Sequence, residues 1–341
     1  MKDLRWGVIG FGAFADVAMG PAIRSTPGHR LVAISGRNEE RIRQFARRYD
    51  VPHCYSSAKE LVSLSGFKRS EKLDAVYVAT PNSQHCEHTL MAAERGFHVL
   101  CEKPMALSLE EAGRMIETCS ANGVKLMVGN MMRFNPCHRY MKHIITEGVL
   151  GRVTGVNATF EYHLADKHSP WRLDPKIGGG GAVMDVGVHC IDLLRYILGA
   201  EVTGVGSFID TGPHPFPVDV SSTSILRFDT GAMGTVSVSF INKHPRNSIE
   251  IRGTEGSMVA KGTLWRESTG RVTVETGYSI QTYESSAAVP NPYVLQIEHF
   301  AGCIKNDKKP LISSEEGLKD LAVCLAAYKS HKTGSIVDID Q

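Results

Sequence analysis

Three absences narrow the classes of protein to which this 341-residue sequence can belong. No apolar run approaches the roughly 18 residues needed to cross a bilayer, which argues against a membrane protein. The 38 basic and 36 acidic residues give a net charge of only +2, so no excess of positive charge favours nucleic acid or an acidic membrane surface. The first ten residues contain no apolar signal segment, and we therefore expect a cytoplasmic protein.

The eight cysteines lack any functional spacing. No two of them form the C-x-x-C pair that is typical of zinc sites and redox motifs. Scattered cysteines of this kind are typical of reduced thiols in a cytosolic enzyme. We therefore predict neither a disulfide framework nor a metal site, and we expect most of the thiols to be small buried side chains.

The first third of the sequence alternates short apolar runs with helical segments. This pattern is typical of a parallel sheet that is covered by helices on both faces. Residues 1–130 are therefore predicted to form a doubly wound α/β Rossmann domain. The predicted strands are Trp6–Ile9, Leu31–Ser35, Asp74–Ala79, His98–Cys101 and Lys125–Gly129.

Beyond residue 130 the pattern changes to alternating strands joined by tight turns. Residues 131–341 are predicted to form an α+β domain with a large, mainly antiparallel open sheet. At the turn Gly253–Gly256 we expect the glycines to supply a positive φ. The predicted strands include residues 153–162, 224–228, 235–240, 249–252 and 257–261.

A dinucleotide fingerprint follows the first predicted strand. The segment Gly10–Ala15 has the form G-x-G-x-x-A and opens a helix, which is the context that gives such a match its meaning. Gly10 allows the tight turn, Gly12 allows close approach of the pyrophosphate, and Ala15 allows close packing of the helix on the strand. The predicted phosphate-binding residues are Gly10, Gly12, Ala13, Phe14 and Ala15.

The end of the second strand favours NADP(H) over NAD(H), although NAD(H) stays possible. An NAD site usually carries a carboxylate there that accepts hydrogen bonds from the ribose. This sequence instead has Ser35, Gly36 and Arg37, with Arg41 one helical turn further. A hydroxyl and two guanidinium groups would hold a 2′-phosphate. The alternative is that both arginines are surface residues paired with Glu39 or Glu40.

Two further strand ends lie at the edge of the sheet where such folds bind ligands. The third strand ends in Ala79, Thr80, Pro81 and Asn82, which we expect to line the ribose and nicotinamide. His85 follows one turn later, as a cofactor contact or as an ordinary residue of a helix start. The fourth strand ends in Glu102 and Lys103 before a proline, which directs Lys103 to the same edge.

The sequence resembles the glucose–fructose oxidoreductase/inositol dehydrogenase (Gfo/Idh/MocA) family. Its E-K-P segment at Glu102–Pro104 follows a Rossmann half, as in that family. The glycine run Gly178–Gly181 is followed by Asp185-Val-Gly-Val-His189, which is similar to the D-x-G-x-H motif of the family. Both segments occur in the order of the family, and the layout of the second domain also corresponds, so the resemblance covers essentially the whole chain.

The resemblance implies a set of catalytic residues. In relatives, the lysine contacts the reacting hydroxyl and the histidine takes or gives its proton, which assigns Lys103 and His189 to acid–base catalysis. Asp185 would position the substrate or the lysine, and its spacing of four residues places it on the helix face of His189. Each of these residues alone has an ordinary structural explanation, whereas all of them behind a dinucleotide fold favour catalysis.

Two other segments resemble parts that line the substrate pocket in relatives. Arg133 lies in the first, and Trp171 with Arg172 lies in the second, which is similar to the sugar-active branch of the family. An indole ring offers an apolar face to a sugar, and a guanidinium group offers donors to its hydroxyls. The alternative for Trp171 is a buried side chain that anchors a loop.

We therefore predict an NADP(H)-dependent oxidoreductase that transfers hydride between the nicotinamide and a secondary alcohol or carbonyl of a sugar, a polyol or a related cyclic compound. Two alternatives use the same fold: a dinucleotide-binding sensor without catalysis, and a glycosidase that uses bound NAD transiently. The resemblance also implies a homodimer or homotetramer assembled through the C-terminal sheet.

Overall fold

A computed structural model describes residues 3–63, 72–164, 170–212, 217–286 and 288–339. The chain divides into two compact units. The first unit contains Met1–Gly129 and Tyr293–Leu318, and the second contains Asn130–Pro292 and Lys319–Gln341. The division predicted from the sequence at residue 130 is linear, whereas these units are not.

The strands are numbered in chain order. They are β1 (Leu4–Ile9), β2 (His29–Ser35), β3 (His53–Tyr55), β4 (Ala75–Val78), β5 (His98–Cys101), β6 (Leu126–Val128), β7 (Val153–Glu161), β8 (Val202–Asp210), β9 (Ser221–Phe228), β10 (Met233–Ser239), β11 (Ser248–Gly253), β12 (Gly256–Lys261), β13 (Gly270–Thr276), β14 (Ser279–Ser285) and β15 (Val337–Asp338).

The α-helices are numbered in the same way. They are α1 (Ala13–Val17), α2 (Met19–Ser25), α3 (Glu39–Tyr49), α4 (Ala58–Ser63), α5 (His85–Ala93), α6 (Leu109–Ala121), α7 (Pro136–Thr146), α8 (Pro175–Gly178), α9 (Val188–Leu198), α10 (Pro292–Lys305) and α11 (Ser314–Thr333).

The first unit is built on a six-stranded parallel sheet with the order β3-β2-β1-β4-β5-β6. This is the order of the doubly wound dinucleotide-binding fold, whose ligands bind at the carboxyl ends of the strands where the order reverses. Here the reversal lies between β1 and β4. Strand β4 is apolar and buried throughout, and β1 is buried from Arg5 to Ile9, as expected for a sheet covered on both faces. The predicted fold class of this part is confirmed.

Residues 293–318 belong to the first unit because they complete its core. The ring of Phe300 on α10 lies 6.0 Å from the ring of Trp6 on β1, and both side chains are fully buried. Ser313 forms an antiparallel bridge with Met127 on β6. A linear division of the sequence cannot include such a segment, because it returns to the first sheet only after the second sheet has been built.

The second unit is built on a nine-stranded sheet with the order β14-β13-β12-β11-β7-β10-β9-β8-β15. All neighbours are antiparallel except β7 and β10, which are parallel. Strand β9 shows that one face of the sheet is covered, because its residues alternate between buried and exposed from Ser222 to Phe228. The prediction of a large, mainly antiparallel open sheet is confirmed.

The helical stretch Pro175–Leu198 is long and apolar enough, by length and composition, to cross a membrane. However, 78% of its most apolar window is buried inside the protein. Burial on this scale is typical of a core helix, so the stretch is explained by packing within the second unit. A search of the sequence for an unbroken apolar run does not find this stretch, because polar residues interrupt it.

The glycines of the turn Gly253–Gly256 have a different role from the one expected. Neither Gly253 nor Gly256 has a positive φ. A Cβ atom at Gly253 would lie 2.0 Å from the carbonyl oxygen of Leu150, and one at Gly256 would lie 2.4 Å from that of Glu275. The expectation of positive φ is therefore wrong, and the glycines are required because neighbouring backbone approaches closely.

The cysteines fit the expectation of small buried side chains. Seven of the eight are buried, and Cys54 is exposed. Burial raises the pKa of the Cys119 and Cys190 thiols to about 12. Such thiols stay protonated at neutral pH and are chemically inert.

Candidate active site

The turn between β1 and α1 is held against the end of β4. Gly10 has a φ of 82°, and a Cβ atom there would lie 2.8 Å from the backbone nitrogen of Thr80. The carbonyl of Ser35 accepts hydrogen bonds from the N–H groups of Gly10 (3.0 Å) and Phe11 (2.8 Å). The ends of β1, β2 and β4 are thereby fixed together, and glycine is required at position 10.

The space beside Gly12 suits a bound phosphate group. A Cβ atom at Gly12 would have the carbonyl oxygen of Gly10, at 3.8 Å, as its nearest neighbour among the described residues. The open side of this glycine adjoins the first turn of α1. The backbone N–H groups of a first turn have no carbonyl acceptor within their own helix. Ala15 is fully buried, so the helix packs closely on the sheet. The cradle therefore fits the dinucleotide that the fold implies.

The two arginines after β2, Arg37 and Arg41, do not form ion pairs with Glu39 or Glu40, as the alternative explanation requires. Glu39 forms its ion pair with Arg43, at 3.1 Å, and Glu40 accepts a hydrogen bond from Gln44 at the same distance. Arg37 and Arg41 are exposed, and neither has an ion-pair partner within the described part of the chain. The guanidinium of Arg41 lies 5.5 Å from the centre of the Phe45 ring. Asn38 caps α3 by accepting from the N–H of Arg41, which orders this segment.

His85 lies inside the first unit rather than on its surface. Its ring is fully buried, with Nδ1 2.8 Å from the carbonyl oxygen of Pro104 and Nε2 2.9 Å from that of Thr80. Burial lowers the pKa of His85 to about 4, against the effect of the two carbonyls, which raise it. Both ring nitrogens are occupied by backbone, which favours a role in fixing the loops around Thr80 and Pro104. Thr80 itself is buried, and its hydroxyl lies 3.1 Å from Nδ1 of His88.

The E-K-P segment is ordered by the buried Tyr77 on β4. The hydroxyl of Tyr77 donates a hydrogen bond to Glu102, and the other oxygen of Glu102 lies 3.3 Å from the N–H of Lys103. Burial and the Glu102 carboxylate raise the pKa of Tyr77 well above its usual value, so the phenol remains a donor. The Lys103–Pro104 peptide bond is cis.

In the second unit, Asp219 holds the glycine run in place. Its carboxylate accepts hydrogen bonds from the N–H groups of Gly181 (2.6 Å) and Val183 (2.8 Å) and from the hydroxyl of Tyr328 (2.6 Å). A Cβ atom at Gly181 would lie only 1.9 Å from the carbonyl oxygen of Asp219. Asp219 therefore caps the helical segment that follows, and the glycine permits this close approach.

That helical segment carries Asp185 and His189. Residues Val183–Gly187 form a π-helical turn that continues into α9, and such turns occur frequently at functional sites. Asp185 is part of the π-helical turn, and His189 is the second residue of α9. His189 is buried, with its ring 6.2 Å from the ring of Phe160 on β7.

Each oxygen of Asp185 contacts a different partner. The hydroxyl of Tyr162 donates to Oδ2 at 2.7 Å, and Nε of Arg172 lies 3.4 Å from Oδ1. The Arg172 guanidinium also lies 4.3 Å from the centre of the Trp171 ring. Burial and the nearby carboxylate raise the pKa of Tyr162, so its hydroxyl is a permanent donor to Asp185. The structure thus brings together Trp171, Arg172 and Asp185, three of the residues predicted from the sequence.

Arg133 lies in a buried ionic cluster of the second unit. It is 2% exposed, and its guanidinium contacts Asp192 at 2.8 Å. Asp320 accepts hydrogen bonds from Arg195 (2.6 Å) and Asn130 (3.0 Å) in the same unit. Burial and the neighbouring Asp192 raise the pKa of Asp320 well above its usual value. These contacts give Arg133 a place in the interior, next to the helix that carries His189.

Three residues that contribute to this arrangement lie outside every motif identified in the sequence. Tyr162 and Trp265 contact each other at a ring distance of 6.2 Å, and Asp219 caps the glycine run. Tyr162 lies 23 positions before Asp185, and Asp219 lies 34 positions after it, so only the fold brings them together. The alternation of residues 153–162 predicts a strand, although it does not predict which of its side chains reaches Asp185. Among the described residues, no group of three His, Cys, Asp or Glu side chains could hold a metal ion.

The fold and the glycine cradle define the class of protein: one with a dinucleotide-binding domain of the Rossmann type. Residues 4–130 match the model of the oxidoreductase family with an NAD-binding Rossmann fold (Gfo/Idh/MocA), and residues 138–259 match that of the Gfo/Idh/MocA C-terminal domain. The chain belongs to the Gfo/Idh/MocA family.

Curated relatives and a solved structure match over nearly the whole chain. The 1,5-anhydro-D-fructose reductase of Ensifer adhaerens is 31% identical over 98% of both chains. The D-xylose 1-dehydrogenase (NADP(+)) 2 of Haloferax volcanii is 28% identical over 99% of this chain and 100% of the relative. The scyllo-inositol 2-dehydrogenase (NAD(+)) of Bacillus subtilis is 30% identical over 99% of this chain and 97% of the relative. The crystal structure of aldose-aldose oxidoreductase from Caulobacter crescentus has a TM-score of 0.90 and 26% identity, covering 99% of this chain and 100% of that one. The protein is therefore an NAD(P)-dependent oxidoreductase.

Proposed function

We propose that the protein is an NADP(H)-dependent oxidoreductase that acts on a secondary alcohol or carbonyl of a sugar, a polyol or a related cyclic compound. The observation that carries this proposal is the Asp185 carboxylate, which contacts both Tyr162 and Arg172 one helical turn before His189. A fixed carboxylate next to a guanidinium and an aromatic ring supplies the acceptors, donors and apolar face that a polyhydroxylated ring needs. The relatives named as acting on anhydrofructose, xylose and inositol support the same class of substrate.

The bound nicotinamide supplies or accepts the hydride, and the residues of the chain supply the rest of the chemistry. Lys103 is assigned to the reacting oxygen, which it polarises as a hydrogen-bond donor. His189 is assigned to the proton that leaves or joins this oxygen. Asp185 is assigned to the hydroxyls of the substrate, because its carboxylate is already oriented by Tyr162 and Arg172.

A panel of sugars tests the proposed activity. D-Xylose, D-glucose, myo-inositol and 1,5-anhydro-D-fructose would each be mixed with the enzyme and with NADP(H) or NAD(H), and the nicotinamide absorbance followed. We expect at least one of them to drive cofactor turnover. Absence of turnover with all of them would favour a sensor. A p-nitrophenyl glycoside is added to the panel for the third possibility, because release of its nitrophenol without net cofactor turnover would favour a glycosidase.

The assignment of Lys103 has its own test. Replacing Lys103→Ala should lower kcat by about 10²–10⁴-fold, the usual contribution of a positioned proton-transfer group. The affinity for the cofactor, measured by nicotinamide fluorescence, should stay within about threefold, because the glycine cradle provides most of the contacts. Lys125→Ala is the matched control, since Lys125 forms an ion pair with the exposed Asp307. Turnover retained in Lys103→Ala would contradict the assignment.

The preference for NADP(H) is supported by the exposed arginines after β2. Arg37 and Arg41 are available to a 2′-phosphate because Glu39 and Glu40 bind to Arg43 and Gln44 instead. Replacing both arginines by alanine should raise the KM for NADP(H) about 10- to 100-fold and leave that for NAD(H) nearly unchanged, as expected for lost hydrogen bonds to a charged group. Arg43→Ala is the control. A wild-type enzyme that prefers NAD(H) would contradict the preference.

We also propose that the open face of the nine-stranded sheet pairs with a second copy of the chain. Apolar side chains are exposed on this face of neighbouring strands, namely Phe208, Ile225 and Met233. An antiparallel sheet can leave one face in water, but a cluster of exposed apolar side chains on it is typical of an interaction surface.

A further inference from the structure

Two Trp–Arg dipeptides lie in the second unit, Trp171–Arg172 and Trp265–Arg266. The third tryptophan of the sequence, Trp6, is fully buried in the first unit. Trp265 lies in the loop between β12 and β13, and its side chain is 43% exposed. An indole that is left partly exposed can present an apolar face to a ligand, so its surroundings are informative.

The two dipeptides are joined by a continuous path of contacts. Starting from Trp171, the path runs through Arg172 and Asp185 to Tyr162, as described above. The Tyr162 ring then lies 6.2 Å from that of Trp265, in an edge-on arrangement at 66°. Asp185 therefore has a Trp–Arg dipeptide at each end of its contact path.

A second path joins Trp265 to His189. The ring of Trp265 lies 6.2 Å from that of Phe160, at 78°, and Phe160 lies 6.2 Å from the ring of His189. The edge contacts with Phe160 and Tyr162 fix the orientation of the indole. The Arg266 guanidinium lies 6.0 Å from the centre of the indole. Its positive charge lowers the pKa of Tyr162, against the larger effect of burial.

The loop that carries Trp265 and Arg266 is held on both sides. The buried amide group of Asn135 donates to the carbonyl of Thr263 and to that of Glu267, each at 3.3 Å. The hydroxyl of Ser268 donates to the carbonyl of Pro290 at 2.6 Å. A partly exposed indole and guanidinium on a loop anchored in this way are preorganised for a ligand, because little conformational entropy remains to be lost on binding.

We propose that Trp265 and Arg266 form a further carbohydrate-contacting surface of the substrate site. The indole would stack on the ring of a cyclic sugar or polyol, and the guanidinium would donate to its hydroxyls away from the reacting carbon. This surface determines substrate specificity rather than performing proton transfer. The proposal rests on the proposed function for the position of the reacting carbon at Asp185 and His189.

Binding and kinetics of the Trp265→Ala variant test the proposal. Ligand-observed NMR titrations with D-xylose, D-glucose and myo-inositol measure binding without turnover. Trp265→Ala should weaken the best of these sugars about tenfold, the effect expected for loss of one aromatic contact surface. Trp265→Phe should weaken it less, because part of the aromatic face remains. In turnover, the alanine variant should raise KM with little change in kcat, as expected when ground state and transition state lose the same contact.

A matched control comes from Tyr278, a fully exposed aromatic residue in the turn between β13 and β14. Tyr278→Ala should bind the sugars as the wild type does. Equal binding by Trp265→Ala and wild type would overturn the surface and leave the dehydrogenase intact. Sugar binding that depends on Trp265, without hydride transfer from either cofactor, would keep the surface and overturn the proposed function. Absence of sugar binding by the wild type would overturn the surface outright.

Discussion

At the scale of single residues, the contacts of Asp185 illustrate what a sequence motif can and cannot specify. The spacing between Asp185 and His189 predicts that they share a helix face, since four residues make about one turn. The same motif gives no information about Tyr162, which lies 2.7 Å from Asp185 in the structure. The partner is supplied by a strand that is remote in sequence, and its register decides which side chain reaches the carboxylate.

The hydrogen bond from Tyr162 makes a testable prediction. Replacing Tyr162→Phe removes the donor to Asp185 and leaves the ring contacts with Phe240 and Trp265 in place. We expect kcat/KM for the preferred sugar to fall about 10- to 100-fold, since hydrogen bonds to charged groups contribute about 1.5–3 kcal/mol. The melting temperature should change little. Tyr196→Phe is the control, because the Tyr196 ring packs against Arg133 and Lys142; an equal loss in both variants would contradict a specific role.

At the scale of elements, the π-helical turn before α9 depends on Asp219. The capping carboxylate comes from a loop 34 positions after Asp185, so the sequence of the helical segment does not reveal it. Replacing Asp219→Asn leaves one oxygen to accept from two N–H groups and a hydroxyl.

We expect Asp219→Asn to lower the free energy of unfolding by about 1.5–3 kcal/mol, measured by denaturant titration. Activity should fall as well, because the segment carries Asp185 and His189. Tyr328→Phe removes one of the three donors and should have a smaller effect. Wild-type stability of the asparagine variant would show that the cap is not required.

His85 predicts a dependence of stability on pH. Its pKa is about 4 in the folded protein, against 6.5 for an unperturbed histidine, mainly because of burial, with smaller contributions from His88 and Lys103. The unfolded chain therefore binds more protons than the folded chain between these values. The resulting contribution is fully present above pH 6.5 and is lost as the pH falls towards 4, by about 3 kcal/mol.

The variant His85→Gln isolates this contribution. Denaturant titrations from pH 7 to pH 4 should show a slope that is smaller by about one proton than that of the wild type. His138 in the second unit also has a pKa of about 4 because of burial, so part of the slope should remain. An unchanged slope in His85→Gln would contradict the burial of a neutral imidazole at this position.

At the scale of the whole molecule, the fold class was predictable and the composition of the compact units was not. Apolar runs separated by helices predict the parallel sheet, and alternating strands predict the antiparallel one. The grouping of Tyr293–Leu318 with the first unit was not predictable, because it depends on long-range contacts such as that between Phe300 and Trp6. Strand β8 and the strands after residue 262 were also missed. Gly204 and Gly206 interrupt the apolar pattern of β8, and most residues of β14 are exposed.

The open sheet face predicts the association state. Replacing Ile225→Glu should convert a dimer or tetramer to a smaller species, because a carboxylate buried in an interface is costly. Light scattering after size exclusion would measure the mass. Leu109→Glu is the control for added charge, because Leu109 is an exposed apolar residue on α6 of the first unit and does not belong to this sheet. A wild-type chain that is monomeric at all concentrations would contradict the interface.

The most direct test of the central claim follows a hydride from cofactor to substrate. The enzyme would be incubated with NADPH that carries two deuterium atoms on C4 of the nicotinamide, so that either face transfers the label. The second reactant is the carbonyl form of the preferred sugar. The account predicts that the product alcohol carries a single deuterium on its secondary carbon, and that Lys103→Ala forms almost none. Product without deuterium, or oxidised cofactor without a labelled sugar, would contradict it.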